Sequence, residues 1–254
     1  MKLYLIASSQ IAPGIAQYLS DEALSWRQES DVPAAQKLIE FAGRICYMAF
    51  GSRQSPRTNK QYVENLIEQG HESVLEHASA SLLFTGISRG LSHQLVRHRV
   101  GFSYSQLSQQ YVGAEESAFA MPPGIGADVE ASAIWADAVA RSRESYRKLV
   151  ERLEQSNVGN HLTRKERSRF IRSASRSVLP EATSTALVMT GNMRAWRNFL
   201  QARGNIAGDY EMTQACVEVF GLVSAVAPAC FGDMQIVENA EGRAYVIKKR
   251  DSRL

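Results

Sequence analysis

Cysteine is scarce in these 254 residues, and Cys46, Cys216 and Cys230 form an odd, widely spaced set without a CxxC pair. Neither a disulfide framework nor a cysteine-type zinc site is expected, and a reducing, cytoplasmic setting is. Long apolar runs are absent too. No stretch reaches the roughly eighteen uninterrupted apolar residues of a membrane helix. The opening MKLYLIASSQIAPGIAQYL has one lysine and is broken by Pro13, so the reading is neither signal peptide nor membrane span. Charge of one sign is barely in excess, 29 Lys and Arg against 26 Asp and Glu, for a net +3. That is too mild for non-specific nucleic-acid binding, yet enough to draw small anions into a locally basic pocket. Gly124-Ile125-Gly126 follows Pro122 and Pro123 instead of a strand and has no third glycine, which argues against a dinucleotide-binding Rossmann unit. There is no P-loop and no GxSxG elbow.

What is present is ordinary globular material, 44% hydrophobic and 22% charged. Alternation reads as strands over residues 2–8, 77–85 and 183–190. Helical spacing reads as helices over 33–47, 59–69, 88–99, 128–155, 163–178, 194–202 and 209–226, with Thr163 and Glu166 as a capping box and Pro180 and Pro228 as stops. Gln94 and Arg97 then sit about one turn apart. Residues 101–126, rich in Gly, Ser, Pro and Gln, read as a long functional loop. The tail Lys248, Lys249, Arg250 reads as a solvated, partly frayed end. The sum is an α+β, helix-rich single domain over 1–254 with a central, mostly antiparallel sheet.

Chemistry concentrates in RHRVGFSYSQLSQQYV, Arg97 to Val112. Guanidinium groups offer a flat fork of donors to phosphate or a pyrimidine carbonyl edge, and Ser and Gln offer small, adaptable partners. Ser108 has no obvious base and is not a nucleophile. GHESVLEHAS, Gly70 to Ser79, holds Glu76 and His77 but lacks the HExxH spacing of a metal site, so no metal is expected. Arg169, Arg172 and Arg176 are three and four apart and share a helix face, without the aromatic platforms of a nucleic-acid module. On residue types alone, all of these also read as solvated helix ends and hydrogen-bonded turns.

The Arg97 stretch resembles the signature of the flavin-dependent thymidylate synthases: Arg-His-Arg, seven residues, Ser, a spacer, Arg and Tyr. Gln94, Arg97, His98, Arg99, Gln106, Leu107, Ser108 and Tyr111 match once one inserted residue is allowed. Here eight residues separate Arg99 from Ser108, and Gln110 stands where the second Arg is expected. The resemblance implies that family's fold and a homotetramer with shared active sites. It implies FAD, held by Ser73, Glu76, Arg97, His98, Arg99, Ser105, Asn192, Arg194 and Asn198. It implies a uridylate held by Gln94, Arg97, Gln106, Leu107, Ser108, Gln109, Gln110, Arg176 and Arg203. Arg203, Gln106 and Ser108 would carry catalysis. Ala207 replaces a flavin-contacting histidine of many relatives, while Glu211 keeps the acid four positions on.

The implied reaction methylates C5 of the uracil of UMP or dUMP without a covalent enzyme nucleophile. 5,10-Methylene-tetrahydrofolate gives the carbon and NADPH reduces the flavin. Gln110 and the longer loop are similar to features of synthase-like enzymes of nucleoside-antibiotic pathways, such as the polyoxin-pathway methylase, and so point to UMP as well as dUMP. An ordinary dUMP-specific synthase is the alternative. A non-catalytic flavoprotein or RNA-binding relative is a remote one. No nucleic acid or membrane partner is expected.

Overall fold

β-Branched and aromatic runs become strands and the Ala-, Arg- and Glu-rich stretches become helices in the computed structural model, which describes residues 1–114 and 116–249. In chain order the elements are β1 (Lys2–Ser8), α1 (Gly14–Asp21), α2 (Ala34–Tyr47), α3 (Asn59–Glu68), β2 (Ser79–Ser88), α4 (Arg89–Leu95), β3 (Phe102–Gln106), α5 (Pro123–Gly126), α6 (Val129–Glu154), α7 (Arg164–Ser175), β4 (Ser184–Asn192), α8 (Met193–Arg203), α9 (Tyr210–Val226), β5 (Met234–Glu238) and β6 (Ala244–Lys248). The fold is helix-rich α+β with mostly antiparallel pairing. One sheet has the order β1-β2-β4-β3, and β5 and β6 form a separate antiparallel hairpin running from Met234↔Lys248 to Glu238↔Ala244.

The chain separates into two compact units. The first comprises Met1–Lys2, Phe84–Arg97 and Ser105–Val188. Its core includes Phe84, Ile87, Leu91, Leu95, Ile171 and Leu187, with Tyr146 fully buried and its hydroxyl accepting from the Ala114 N–H at 3.3 Å. A capping box closes the start of α7: the Thr163 side chain accepts from the Glu166 N–H while the Glu166 carboxylate reaches back to the Thr163 N–H. In α6, with 26 residues, Val139 and Tyr146 are the buried ones, and Val129 and Ile134 are exposed.

The second unit comprises Leu3–Leu83, His98–Tyr104 and Met189–Leu254, described as far as Lys249. Trp196 and Phe199 of α8 pack on Phe102 in edge-to-face contacts at 4.9 and 6.3 Å. Arg197 on the same helix is 1% exposed and forks onto both carboxylate oxygens of Asp233 at 2.7 and 2.9 Å, tying α8 to the start of the hairpin. A second buried polar knot joins α2 to α3: Glu40 accepts from Arg44 at 2.7 Å and from Asn59 at 2.7 Å.

Several expected elements differ. The helix foreseen over 88–99 starts where Ser88 caps the Leu91 N–H and ends at Leu95, so Arg97 lies past it in a turn rather than on a helical face with Gln94. Gly101, at φ +77°, reverses the chain there. Residues 101–126 are not one loop: Phe102, Tyr104 and Gln106 form the half-buried face of β3, and Pro123–Gly126 form α5. The two-residue period of FSYSQ is short and sits among turn formers, which masks it. Lys248 ends β6, and Lys249 is held by its N–H to the Asp233 carbonyl at 2.8 Å, so neither belongs to a frayed tail. Arg250 lies outside the described residues. α1 and the β5–β6 hairpin were not foreseen.

Candidate active site

Four of the residues expected at the flavin meet at one cleft of about 210 Å³ in the second unit. Glu76 comes from a six-residue 3₁₀ segment, Glu72–His77, Asn192 caps α8, and Arg194 and Asn198 lie on α8 one turn apart. Val100, Gly101 and Ala195 complete the lining. Asn192 spends its carboxamide oxygen on the Ala195 N–H at 2.8 Å. Arg194 Nη1 lies 2.6 Å from the Glu76 carboxylate, while its buried Nε lies 3.8 Å from the Glu72 carboxylate and makes no hydrogen bond among the described residues. A buried guanidinium N–H that makes no hydrogen bond, beside amide groups, is a donor set suited to carbonyl or phosphate oxygens, so these residues fit a flavin nucleotide. A side chain at residue 101 would fill this cradle, because its Cβ would lie 2.7 Å from that of Ala195 and 2.9 Å from Asn192 Nδ2. A complete small-molecule site measures about 300 to 1,000 Å³. The cleft is smaller, with room for part of such a ligand.

The remaining flavin positions do not line this cleft. Ser73 and Arg99 are exposed, and Ser105 points outward from β3 in the first unit. His98 packs edge-on against Phe199, with ring centroids 5.0 Å apart. Burial, and secondarily the positive charge of Arg203, hold its imidazole below the usual histidine value. Tyr104 donates its hydroxyl to the His98 carbonyl. Burial pushes that phenol up to about 12 against the opposing pull of Arg99.

Arg203, at the end of α8, is half-buried, and its Nη2 lies 3.4 Å from the Asp209 carboxylate. Sequence reading had not assigned Asp209. Ala207 is exposed, whereas Glu211 is half-buried at the start of α9.

In the first unit a cleft of about 370 Å³ collects Arg176 and Gln109 with Arg89, His93, Ser173 and Glu181. Arg89 was missed. It opens α4, and burial together with the Arg176 guanidinium lowers its affinity for its proton, so two cations crowd one pocket. A cation at the first position of a helix, opposed to the helix dipole, is the signal that marks it. Arg176 begins a 3₁₀ turn after α7 ends at Ser175 and so leaves the face it was expected to share with Arg169 and Arg172, which line another cleft.

Apart from Arg203, which lies in the second unit, the other expected nucleotide residues also belong to this unit. Gln106 Nε2 donates to the buried Ser92 hydroxyl at 2.7 Å, which donates to the Arg89 carbonyl at 2.8 Å. One carboxamide N–H of Gln106 is thus already committed to holding α4. Ser108 accepts from the Gln110 N–H at 3.3 Å, and Gln110 reaches Ser173 at 3.4 Å. Leu107 and Arg97 are exposed and Gln94 is half-buried. No group of three or more His, Cys, Asp or Glu able to hold a metal occurs among the described residues.

Residues 29–229 match the family model described as thymidylate synthase complementing protein. A flavin-dependent thymidylate synthase of Mycobacterium sp. strain JLS is 44% identical over 223 residues, covering 84% of this chain and 85% of the relative. One from Mycolicibacterium gilvum is 42% identical over 242 residues, covering 92% and 95%. One from Mycobacterium tuberculosis is 41% identical over 229 residues, covering 89% of each.

Proposed function

The chain belongs to the thymidylate synthase complementing protein family, and from that premise we propose that it methylates C5 of dUMP in the cytoplasm. It is an enzyme of the flavin-dependent thymidylate synthase type, using FAD, with NADPH and 5,10-methylene-tetrahydrofolate as co-substrates. The single observation that carries the reading is the meeting of Glu76, Asn192, Arg194 and Asn198 at one cleft, although the first two are 116 positions apart. When bound, the reduced flavin supplies hydride chemistry that the side chains lack.

The chain's own residues bind and orient. Arg194 and the Asn192 and Asn198 amides hold the flavin nucleotide. The Arg89 and Arg176 pair takes the phosphate of the uridylate, since two crowded guanidinium groups are relieved by a dianion. In the second unit, Arg203, held by Asp209, is a fixed donor of the kind that stabilises charge developing on a uracil carbonyl without reorganising. Residues 1–254 act as one domain with the family's fold, and four copies share their active sites. The small flavin cleft and the exposure of Val100 at 90% and Ile134 at 71% favour that assembly.

Gln110 favours a second reading, in which UMP is also accepted, as in antibiotic-pathway methylases of the polyoxin type. An amide there removes a cation that would otherwise fix the nucleotide. The test is to purify the protein, record its flavin spectrum, and follow dTMP and methylated UMP formation side by side with NADPH and methylene-tetrahydrofolate. Bound flavin and dTMP formation are expected. A colourless protein that makes neither product overturns the proposal.

A further inference from the structure

The helix α7 carries cations that the reaction above leaves unused. Arg164, Lys165, Arg169 and Arg172, with Ser168 and Tyr111, line a cleft of about 460 Å³ in the first unit. Lys165, Arg169 and Arg172 follow at spacings of four and three and share a face, and the four cations span about 12 Å at 1.5 Å per residue. No ion pair joins any of the four to a carboxylate among the described residues. The acid in this turn, Glu166, is turned to the Thr163 cap.

This arrangement runs against local electrostatics. Arg164 and Lys165 occupy the first turn of a 12-residue helix, where the dipole disfavours cations, and like charges one turn apart repel. An oligoanion would relieve both. The Tyr111 ring, 56% exposed at the cleft, offers a stacking surface, and Arg172 is fixed beside it by its Nη1 donating to the Tyr111 carbonyl at 2.9 Å. A row of three or four cations with one free ring suits several phosphates attached to a base. The hydrogen bond from Gln110 to Ser173 joins this cleft to the one holding Arg89 and Arg176, because Gln110 lines the first and Ser173 the second.

We propose that this cleft binds the phosphates of a polyphosphorylated nucleotide, with its base on Tyr111. Two sources share that chemistry: the pyridine nucleotide co-substrate, an identification that rests on the function proposed above, and a free nucleoside triphosphate.

Direct calorimetric titration of the flavin-loaded protein with NADP⁺, NAD⁺, ATP and sulfate tests this without turnover. The comparison is the triple variant Arg164→Gln, Lys165→Gln, Arg169→Gln, whose side chains are exposed. Binding of NADP⁺ or ATP, weakened about tenfold or more in the variant while dUMP binding is unchanged, supports the site. NADP⁺ well ahead of NAD⁺ and ATP identifies the co-substrate; ATP equal to NADP⁺ identifies free triphosphates. Nucleotides no tighter than sulfate, or equal affinity in the variant, overturn it. So does an RNA oligonucleotide that binds through these arginines when both nucleotides fail. A protein that binds nucleotide here yet forms no dTMP sinks the proposed activity and leaves the site standing.

Discussion

Arg194 and Glu76, 118 positions apart, form an ion pair of 2.6 Å at the cleft of about 210 Å³. The carboxylate aims the guanidinium, and its buried Nε, 3.8 Å from the Glu72 carboxylate, is a donor with no hydrogen bond among the described residues. Arg194→Lys keeps the charge but loses the planar fork, and a charge-assisted contact contributes about 1.5 to 3 kcal/mol. Flavin affinity should therefore fall about tenfold to a hundredfold, read from flavin retained after gel filtration. Glu76→Gln should weaken it less, because the guanidinium stays but is no longer aimed. Unchanged flavin content in Arg194→Lys would remove the residue from the cofactor's contacts.

Gly101 gives a sharper structural expectation. Its φ of +77° is strained for any L residue, and an added Cβ would meet Ala195 and Asn192 below 3.0 Å. Gly101→Ala should cost about 1 to 3 kcal/mol, seen as a lower urea midpoint. The methyl group also intrudes on the cleft, so bound flavin should drop even at temperatures where the variant is folded. Retention of full flavin would show that the backbone shifts without closing the cleft.

The same residue shows what was legible beforehand. Helices with caps written in their sequence, such as Thr163 with Glu166, could be read locally, because each cap needs only four residues. β3 could not, because its five residues gain their strand identity from long-range neighbours such as Phe102 against Trp196. Glu76, Asn192, Arg194 and Asn198 were nameable through resemblance to a family. That Arg194 is paired to Glu76, or Arg203 to Asp209, depends on tertiary geometry that spacing does not encode. Arg89 escaped although it opens a helix, because its approach to Arg176 is tertiary geometry of the same kind.

His98 confers a pH dependence whose direction is fixed. In the unfolded chain the imidazole takes its proton near 6.5, and in the fold burial, then Arg203, keep that value lower. Between the two values the unfolded state binds more protons. This contribution to stability is therefore complete above about pH 7 and is lost on acidification through 6.5. The denaturant midpoint should decline as pH falls through that window, and His98→Phe should flatten the decline while keeping a ring against Phe199. An unaltered slope in the variant would assign the effect to other groups.

Asp233 is the counter-ion of a guanidinium that is itself 1% exposed. Removing it leaves Arg197 with a buried charge and, among the described residues, only the Glu72 carboxylate, 3.7 Å away, as a charged partner. Asp233→Ala should cost about 3 kcal/mol, the lower end for a broken buried pair, because the Asp233 side chain is itself 39% exposed. Since Arg197 sits on α8 between Arg194 and Arg203, flavin content and methyl transfer should fall together. A loss of stability with both activities intact would show that the hairpin contact is structural only.

Gln110 bears on the choice of sugar. Among the described residues its side chain makes one long hydrogen bond, 3.4 Å to Ser173, so it can be exchanged without breaking a strong contact to them. Gln110→Arg restores the cation that the family signature carries, and one added charge-assisted contact of about 1.5 to 3 kcal/mol should raise affinity for dUMP about tenfold or more. If the amide is what lets a ribose in, the ratio of kcat/KM for dUMP over UMP should rise by a similar factor, because a firmly anchored phosphate leaves the sugar less freedom to shift. Rates measured on both nucleotides at fixed flavin and folate read this ratio directly. A gain that is equal for the two nucleotides would mean that residue 110 sets affinity alone, and that discrimination at the 2′ carbon is made elsewhere in the chain.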